Sequence, residues 1–293
     1  MDENPDPKIV LSADVRAAML ATKLPWKVRH KESGIEMLLV PAGEFAMGRT
    51  PGDNTLREDE LPTHTVQISK PFYLGRCEVT REQWQKVMGS VHEEHVDVKS
   101  PESIRAAALT RALGAGQTEA AAQKIADAEV EKQSKPKPLP VGMVSWTDCE
   151  AFCRKAALRL PTEAEWEYAC RATDQLTSFG TVGKLNAVAW HGYNSDQRAH
   201  PVGTKLANSF GFHDMFGNMR EWVSDWYGPY SSKTQSDPQG PESGLGKVLR
   251  GASWSWMMPA QNEYSAYRPS QRSVCVVGYA DDSIGFRAAR SVD

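Results

Sequence analysis

The chain has 293 residues, of which 40% are hydrophobic and 24% are charged, so it has enough apolar side chains to build a globular core. Its formal net charge of -3 provides no overall basic field, and we expect no nucleic-acid partner. No apolar run approaches the roughly 18 residues that span a bilayer, and the acidic start MDENPDPKIV does not resemble a signal peptide. The sequence as written therefore predicts a cytoplasmic protein without a membrane partner.

The first part of the chain predicts short elements separated by turns. A helix is expected in SADVRAAMLATK with Ser12 as its N-cap, and a two-stranded hairpin is expected in IEMLLVPAGEFAMG. Alternation in HTVQISKPFYLGRCEVT predicts a further strand. The next segment, TREQWQKVMG, has the capping-box pattern of a helix, because Thr80 is followed three residues later by Gln83 and the segment ends at Gly89.

The composition changes between about residues 90 and 140. This stretch is rich in Ala, Glu, Lys and Gln and has no aromatic residue, which favours helices, and Gly-Ala-Gly at 114–116 predicts a break between two of them. We interpret the stretch as a helical insertion in a domain over residues 31–293, which follows an N-terminal extension over residues 1–30. A solvated spacer is the simpler interpretation of the insertion, and a docking arm is the alternative.

Two main helices are predicted in VSWTDCEAFCRKAALRLPTEAEWEYACRA. Thr162 and Glu165 form a second capping-box pattern at the start of the later helix. Cys149 and Cys153 share one face of the earlier helix and are interpreted as buried thiols, because no further metal ligand lies nearby. Farther on, KVLRGASW and SIGFRAARS predict strands. Short strands, two main helices and long loops indicate an α+β fold.

Six motifs occur in order over about residues 35–290: LLVPAGEFAMG, PFYLGRCEVTREQWQKVMG, VSWTDCEAFCRKAALRLPTEAEWEYACRA, DMFGNMREWVSDWY, VLRGASW and GFRAAR. Together they resemble the sulfatase-modifying-factor family. That family includes formylglycine-generating enzymes, the catalytic domain of ergothioneine-type sulfoxide synthases, the pyoverdine-maturation protein and non-catalytic variable proteins diversified by retroelements. The resemblance implies a C-type-lectin-like fold with much irregular structure, but it does not decide the activity, because this fold supports unlike functions.

The resemblance also implies where a copper site would lie. In formylglycine-generating enzymes, two cysteines after an Arg-Gly-Gly-Ser turn bind copper. Here the turn is RGAS, which retains Ser253, and counting forward places Trp256 and Gln261 at the two cysteine positions. Neither side chain is a thiolate ligand for Cu(I). We therefore expect no copper site and no formylglycine generation by the copper mechanism, which makes the chain a predicted pseudoenzyme.

A structural calcium site is implied by the motif DMFGNMREW. In the family this stretch binds Ca²⁺ through a side-chain oxygen, two backbone carbonyls and a carboxylate. The corresponding groups here are Asp214, the carbonyls of Gly217 and Met219, and the carboxylate of Glu221. Hard oxygen ligands in a tight turn suit Ca²⁺. The alternative is that Asn218 and Glu221 only fasten the loop through hydrogen bonds to the backbone.

The stretch after RGAS carries the candidate binding residues. Aromatic, Met and Arg side chains are enriched in binding sites, and the candidates are Ser253, Trp256, Met257, Met258, Tyr264, Tyr267 and Arg268. If VLRGASW is a strand, Trp254 lies on its inner face together with Arg250, for which Glu221 or Asp225 would be the partner. Pro259 then ends strand pairing, so we expect Trp256, Met257 and Tyr264 to line a surface cleft.

Two functions are consistent with these residues. The favoured prediction is a binding module for a protein, peptide or small-molecule ligand, which could belong to the retroelement-diversified type. The alternative is a metal-dependent oxidoreductase that acts on a peptide or siderophore precursor. The sequence identifies no catalytic residue for the alternative, because no three His, Asp or Glu side chains converge in a recognisable pattern.

Overall fold

The structure is a computed structural model that describes residues 4–49, 57–90, 101–134, 138–172, 182–256 and 267–292. The chain forms two compact units. The first consists of Met1–His92 together with Leu139–Asp293, and the second consists of Glu93–Pro138. The second unit corresponds to the helical insertion expected from composition.

The described helices are α1 (Ala13–Ala21), α2 (Arg81–Met88), α3 (Pro101–Gly114), α4 (Glu119–Ser134), α5 (Trp146–Lys155), α6 (Glu163–Arg171) and α7 (Val182–Val188). The predicted caps are confirmed. Ser12 caps α1, and Thr80 and Thr162 form complete capping boxes at the starts of α2 and α6. Helix α2 ends at Gly89 in the left-handed conformation, as its sequence predicts. Among the described residues, no helix is both long and apolar enough to cross a membrane.

The described strands are β1 (Lys27–Arg29), β2 (Glu36–Val40), β3 (Gly43–Met47), β4 (His64–Ile68), β5 (Phe72–Gly75), β6 (Arg220–Trp226), β7 (Gln235–Ser236), β8 (Lys247–Arg250), β9 (Arg272–Cys275), β10 (Ile284–Gly285) and β11 (Ala289–Ser291). They form three sheets in the orders β1-β2-β5-β11, β10-β6-β8-β9 and β3-β4-β7. Short strands in separate small sheets, together with helices, confirm the α+β class.

The hairpin expected in IEMLLVPAGEFAMG does not form. Strand β2 pairs with β1 and β5, whereas β3 pairs with β4, so the turn after Val40 carries the chain from one sheet into another. HTVQISKPFYLG is likewise divided between β4 and β5, and SIGFRAARS between β10 and β11. Alternating polarity marks these residues as extended, but long-range contacts decide which strands pair.

The N-terminal segment packs into the first unit. Val15 and Met19 of α1 and the nearby Trp26 are buried in its core. Strand β1 then adds to the edge of the first sheet by antiparallel pairing with β2. The predicted extension thus contributes both apolar side chains and a strand to the larger unit.

Aromatic rings fill the core of the first unit between α2, α5 and the segment before β11. The Trp84 ring stacks on Phe152 at 5.4 Å, and Phe286 meets Phe152 edge-on at 5.3 Å. Nearby, the buried indole of Trp222 in β6 donates to the Val144 carbonyl at 3.0 Å. The Trp222 hydrogen bond anchors β6, which carries part of the candidate site.

The second unit is a pair of helices. Helices α3 and α4 pack against each other, and the buried side chains among those described in them are Ala108, Ala112, Ala122 and Ala126. Arg105 and Asp127 form an ion pair across the two helices with a 2.9 Å contact. Small side chains therefore allow a close approach of the helices, but they bury little apolar surface.

Candidate functional site

Strand β8 ends at Arg250, so the predicted strand over VLRGASW is wrong beyond that residue. Gly251 has a φ of 71°, a left-handed conformation that interrupts the extended backbone. Trp254 follows in a turn, where its backbone N–H donates to the Asn218 carbonyl at 2.8 Å. Trp254 is buried at 8% exposure, as expected, although a turn rather than strand alternation places it there.

The backbone of Trp256 is held from two sides. Its carbonyl accepts from the Tyr267 hydroxyl at 2.9 Å and from the Gly192 N–H at 3.3 Å. The indole is half-buried, and the Arg220 guanidinium lies 6.0 Å from its ring centroid. Arg220 in turn donates to the Asp281 carboxylate at 3.0 Å. Trp256 thus has a fixed backbone and a side chain that is partly open to solvent.

The other described binding candidates are buried. Ser253, Tyr267 and Arg268 are each at most 2% exposed. Burial raises the pKa of the Tyr267 phenol, so its hydroxyl keeps the proton that it donates to Trp256. Arg268 donates two hydrogen bonds to the buried Glu60 carboxylate, one of them 2.6 Å long. Tyr267 therefore supports the backbone at Trp256, and none of the three side chains is exposed. Met257, Met258, Gln261 and Tyr264 lie outside the described residues.

Arg250 does not pair with Glu221 or Asp225, so that expectation is wrong. Its guanidinium is fully buried and donates to the carboxylates of Glu163 and Glu167 on α6. Glu221 does lie opposite Arg250 in the β6–β8 register, but both of its carboxylate oxygens face Arg287. A helix packed over the strand thus supplies the counter-charges, which strand alternation could not reveal.

Arg250 also connects the two ends of the segment between β8 and β9, residues 251–271, which we call the candidate loop. Arg250 donates to the carbonyls of Pro269 and Ser270 at 2.6 and 3.0 Å. It thereby joins the end of β8 to the segment that leads into β9. Because the guanidinium is buried and has carboxylate partners, this connection is rigid and charge-assisted.

Three buried carboxyl groups lie around the turn DMFGNMREW. Glu221 accepts from Arg287 twice at 2.6 Å and from the Trp166 indole at 2.7 Å. Glu78 accepts from the Asn218 amide and from the Met219 backbone N–H, each at 3.0 Å. Asp214 accepts from the Gly203 N–H at 2.7 Å through Oδ2.

Burial and mutual repulsion raise the proton affinity of two of these groups. Burial and the neighbouring charges of Asp214 and Glu221 raise the pKa of Glu78 well above its usual value. Burial, and secondarily Glu221, raise the pKa of Asp214 to about 6, although the Gly203 N–H and Arg287 partly oppose this rise. Three ionised carboxylates would exceed the charge of the nearby Arg287 guanidinium, and a bound cation or a proton would relieve that excess.

The proposed calcium ligands fit this cluster only in part. Oδ1 of Asp214 is buried and has no hydrogen-bond partner among the described residues, so it is an available hard ligand. Glu221 is already engaged with Arg287 and Trp166. No group of three His, Cys, Asp or Glu side chains within the described ranges is arranged to hold a metal ion. The calcium site, with the Gly217 and Met219 carbonyls, stays a prediction.

The alternative to a calcium site was that Asn218 and Glu221 fasten the loop through backbone hydrogen bonds. Asn218 makes such bonds, whereas Glu221 accepts from the side chains of Arg287 and Trp166. The Asn218 side-chain oxygen accepts from the His200 N–H at 2.8 Å, and its side-chain nitrogen donates to the His200 carbonyl at 3.1 Å. Its own N–H donates to the Trp190 carbonyl at 2.9 Å. The turn is therefore hydrogen-bonded to the preceding loop with or without a metal ion.

Sequence reasoning missed the acidic partners of the buried arginines. Glu163 and Glu167 are four residues apart, so they share the face of α6 that meets Arg250, and this spacing was available in the sequence. Glu60 offered no comparable signal, because it lies in the charged run REDE and its partner Arg268 is 208 residues away. Arg220 lies inside one of the six motifs, but the sequence did not indicate that it is close to Trp256.

Comparisons with known proteins agree with the motif order. The family description "Sulfatase-modifying factor enzyme 1-like domain" matches residues 24–292. A formylglycine-generating enzyme of Streptomyces coelicolor is 32% identical, covering 87% of this chain and 88% of that protein. Treponema denticola variable protein 1 has a similar structure, with a TM-score of 0.67, 26% identity, and coverage of 92% of this chain and all of that one. PvdO from Pseudomonas aeruginosa shares the fold, with a TM-score of 0.62, 23% identity, and coverage of 91% and 98%.

Proposed function

This chain belongs to the sulfatase-modifying factor enzyme 1-like family, and we propose that within it the protein is a binding module rather than a copper-dependent formylglycine-generating enzyme. The observation that carries this proposal is the environment of Trp256. Counting forward from RGAS assigns Trp256 to the position of the family's first copper thiolate. Its backbone is fixed by Tyr267 and Gly192, and its partly buried ring lies beside Arg220.

A tryptophan next to an arginine suits recognition of a polypeptide. Both side-chain types are enriched among residues that dominate binding energy, and they contribute most where the surrounding backbone is rigid. Here the guanidinium of Arg220 is oriented by Asp281 and by the Ser283 hydroxyl. The proposed ligand is therefore a protein or peptide, with Trp256 as its main apolar contact.

The likeness to Treponema denticola variable protein 1 is consistent with this proposal. Retroelement-diversified members of the family use this fold without catalysis, so the fold itself does not require a metal centre. The alternative, a metal-dependent oxidoreductase, would need ligands that converge beside Trp256 or in the acidic cluster around Asp214.

Copper chemistry provides the first test. The purified protein is titrated with Cu(I) against a chromophoric chelator, and a Cys-x-Pro-x-Arg peptide is followed by mass spectrometry for a mass change to the aldehyde. We expect no stoichiometric Cu(I) binding and no aldehyde, because neither Trp256 nor Gln261 is a thiolate. Tight one-to-one copper binding or aldehyde formation would refute the proposal.

Binding itself is tested by selecting peptides from a displayed random library against the immobilised protein. We expect selected peptides to lose at least about tenfold in affinity for Trp256→Ala, as a central aromatic contact does. Leu11→Ala is the matched control, because Leu11 is 58% exposed and lies in the N-terminal segment. If peptides bind both variants as well as the parent protein, Trp256 is not the binding residue.

A further inference from the structure

Arg220 uses only part of its hydrogen-bonding capacity within the described ranges. A guanidinium carries N–H donors on Nε, Nη1 and Nη2. In Arg220, Nη2 donates to the Asp281 carboxylate at 3.0 Å and to the Ser283 hydroxyl at 3.2 Å. Nε is buried without an acceptor, and Nη1 makes no hydrogen bond to another described residue. Because the side chain is 21% exposed, donors are left for a ligand.

The acceptor side of the same ion pair is largely filled. Oδ1 of Asp281 accepts from the Ser283 N–H at 2.8 Å and from the Ser283 hydroxyl at 2.6 Å. Oδ2 accepts from Nη2 of Arg220. A ligand that meets this pair therefore gains more by bringing a hydrogen-bond acceptor than by bringing a donor.

The remaining donors suit a single oxygen atom better than a forked anion. A carboxylate or phosphate binds a guanidinium best through two parallel N–H bonds. Both edges of the guanidinium that allow this geometry include Nη2, which already donates to Asp281 and Ser283. Nη1 alone can bind one acceptor atom, such as the carbonyl oxygen of an amide.

Local charge also disfavours an anionic ligand. Arg220 is paired with Asp281, and the next residue, Asp282, is exposed to solvent. One positive and two negative side chains leave this part of the surface negative. A ligand carboxylate would meet like charge here, whereas an uncharged carbonyl would not.

We propose that Arg220 is a ligand-binding residue that donates from Nη1 to an uncharged carbonyl oxygen of a polypeptide, beside an apolar side chain that packs on Trp256. The guanidinium carbon lies 6.0 Å from the centroid of the Trp256 ring. Every peptide residue carries a carbonyl oxygen next to its side chain, so one residue of the ligand can make both contacts. This role of Arg220 rests on the proposed function, because it concerns the ligand of the same surface.

Two matched small molecules test this role. N-acetylphenylalanine amide combines an aromatic ring with uncharged carbonyl oxygens, and N-acetylphenylalanine has a carboxylate in place of the terminal amide. The whole chain, isotope-labelled at its tryptophans, is titrated with each probe while NMR records the indole N–H signals. Trp256→Phe identifies the Trp256 signal, and the buried Trp222 is the internal control.

We expect the amide to shift the Trp256 signal and to leave the Trp222 signal in place. The acid should bind at least about threefold more weakly, because its carboxylate meets the negative charges of Asp281 and Asp282. Raising the salt concentration should change the affinity of the amide little, because an uncharged ligand has no ionic attraction to screen.

Arg220→Lys separates hydrogen bonding from charge. A lysine can still pair with Asp281 but lacks the second donor nitrogen, so the amide should bind about three- to tenfold more weakly. Arg154→Lys is the matched control, because Arg154 is largely exposed on α5 and pairs only loosely with Glu150 at 3.9 Å. This control should bind the amide like the parent protein, and melting curves establish that both variants are folded.

Tighter binding of the acid than of the amide would overturn this role of Arg220. Unchanged amide binding by Arg220→Lys would also overturn it, as would a Trp256 signal that neither probe moves. The proposed function is judged separately, by whether the selected peptides lose affinity for Trp256→Ala. If they do while Arg220→Lys binds the amide normally, the binding surface stands and only the role of Arg220 is wrong.

Discussion

Arg287 holds the carboxylate of Glu221 through two hydrogen bonds, each 2.6 Å long, and both side chains are buried. The pair joins the segment before β11 to strand β6. We expect Glu221→Gln to lower the free energy of unfolding by about 3–5 kcal/mol, because it leaves a buried guanidinium without its counter-charge. Urea denaturation measures this change.

Glu150→Gln is the matched control for that substitution. Glu150 pairs with Arg154 at 3.9 Å, and both side chains are largely exposed, so the expected change is below about 1 kcal/mol. Equal destabilisation of the two variants would mean that the Arg287–Glu221 pair does not stabilise the fold.

A calcium ion at the acidic cluster would make thermal stability depend on free calcium. We expect a chelator to lower the melting temperature of the parent protein and to have no effect on Asp214→Asn, whose amide keeps the shape but loses the charge. Asp127→Asn, on the exposed ion pair of the second unit, should respond like the parent. If the parent protein has identical melting curves with and without chelator, no calcium ion stabilises the cluster, and the turn around Asn218 is held by hydrogen bonds alone.

The two tryptophans of the candidate loop should differ in their effect on stability. Trp254 is 8% exposed and its indole donates to the Asp282 carbonyl, so Trp254→Ala should cost about 3–5 kcal/mol. Trp256 is half-buried, and Trp256→Ala should cost about 1–2 kcal/mol. Chemical denaturation of both variants compares them, and an equal or larger loss for Trp256→Ala would show that Trp256 is mainly a core residue.

Asp225 should make stability depend on pH. The buried carboxylate accepts from the Glu163 N–H at the start of α6, and burial, followed by the charge of Glu163, raises its pKa to about 7. Between about pH 4 and pH 7 the folded protein holds a proton that the unfolded chain has released. The free energy of unfolding should therefore fall as pH rises through this window, by up to about 1.4 kcal/mol per pH unit, and level off above it.

Asp225→Asn isolates that contribution. The amide oxygen can still accept from the Glu163 N–H and the Ser224 hydroxyl, but it does not titrate. The difference in unfolding free energy between parent and variant, measured from about pH 4 to about pH 8, should follow the predicted slope. A difference that stays constant over this range would show that Asp225 ionises normally in the folded protein.

The second unit should be dispensable for folding of the first. The two units are compact separately, and the buried residues described for α3 and α4 are alanines. Replacing residues 93–138 with a short Gly/Ser linker should therefore change the melting temperature of the remaining unit by only a few degrees. Loss of cooperative unfolding in this variant would mean that the helices stabilise the first unit.

Local sequence patterns predicted the starts of α1, α2 and α6, whereas α7 was not predicted. Thr80 with Gln83, and Thr162 with Glu165, interact across three residues, so their capping boxes depend on local geometry and were predictable. The family fold was also predictable, because six motifs in order constrain it strongly. The sequence placed Trp256 after the end of a strand, and the structure shows a half-buried residue there, but its neighbour Arg220 was not foreseen.

The contacts between distant groups depend on tertiary packing. Strands β2 and β3 are adjacent in sequence but join different sheets, because each extended segment pairs wherever its exposed backbone and apolar face find a partner. Arg250 pairs with α6 rather than with the opposite Glu221, because a helix crosses the strand there. Such choices depend on the mutual packing of elements far apart in the chain, which local periodicity does not encode.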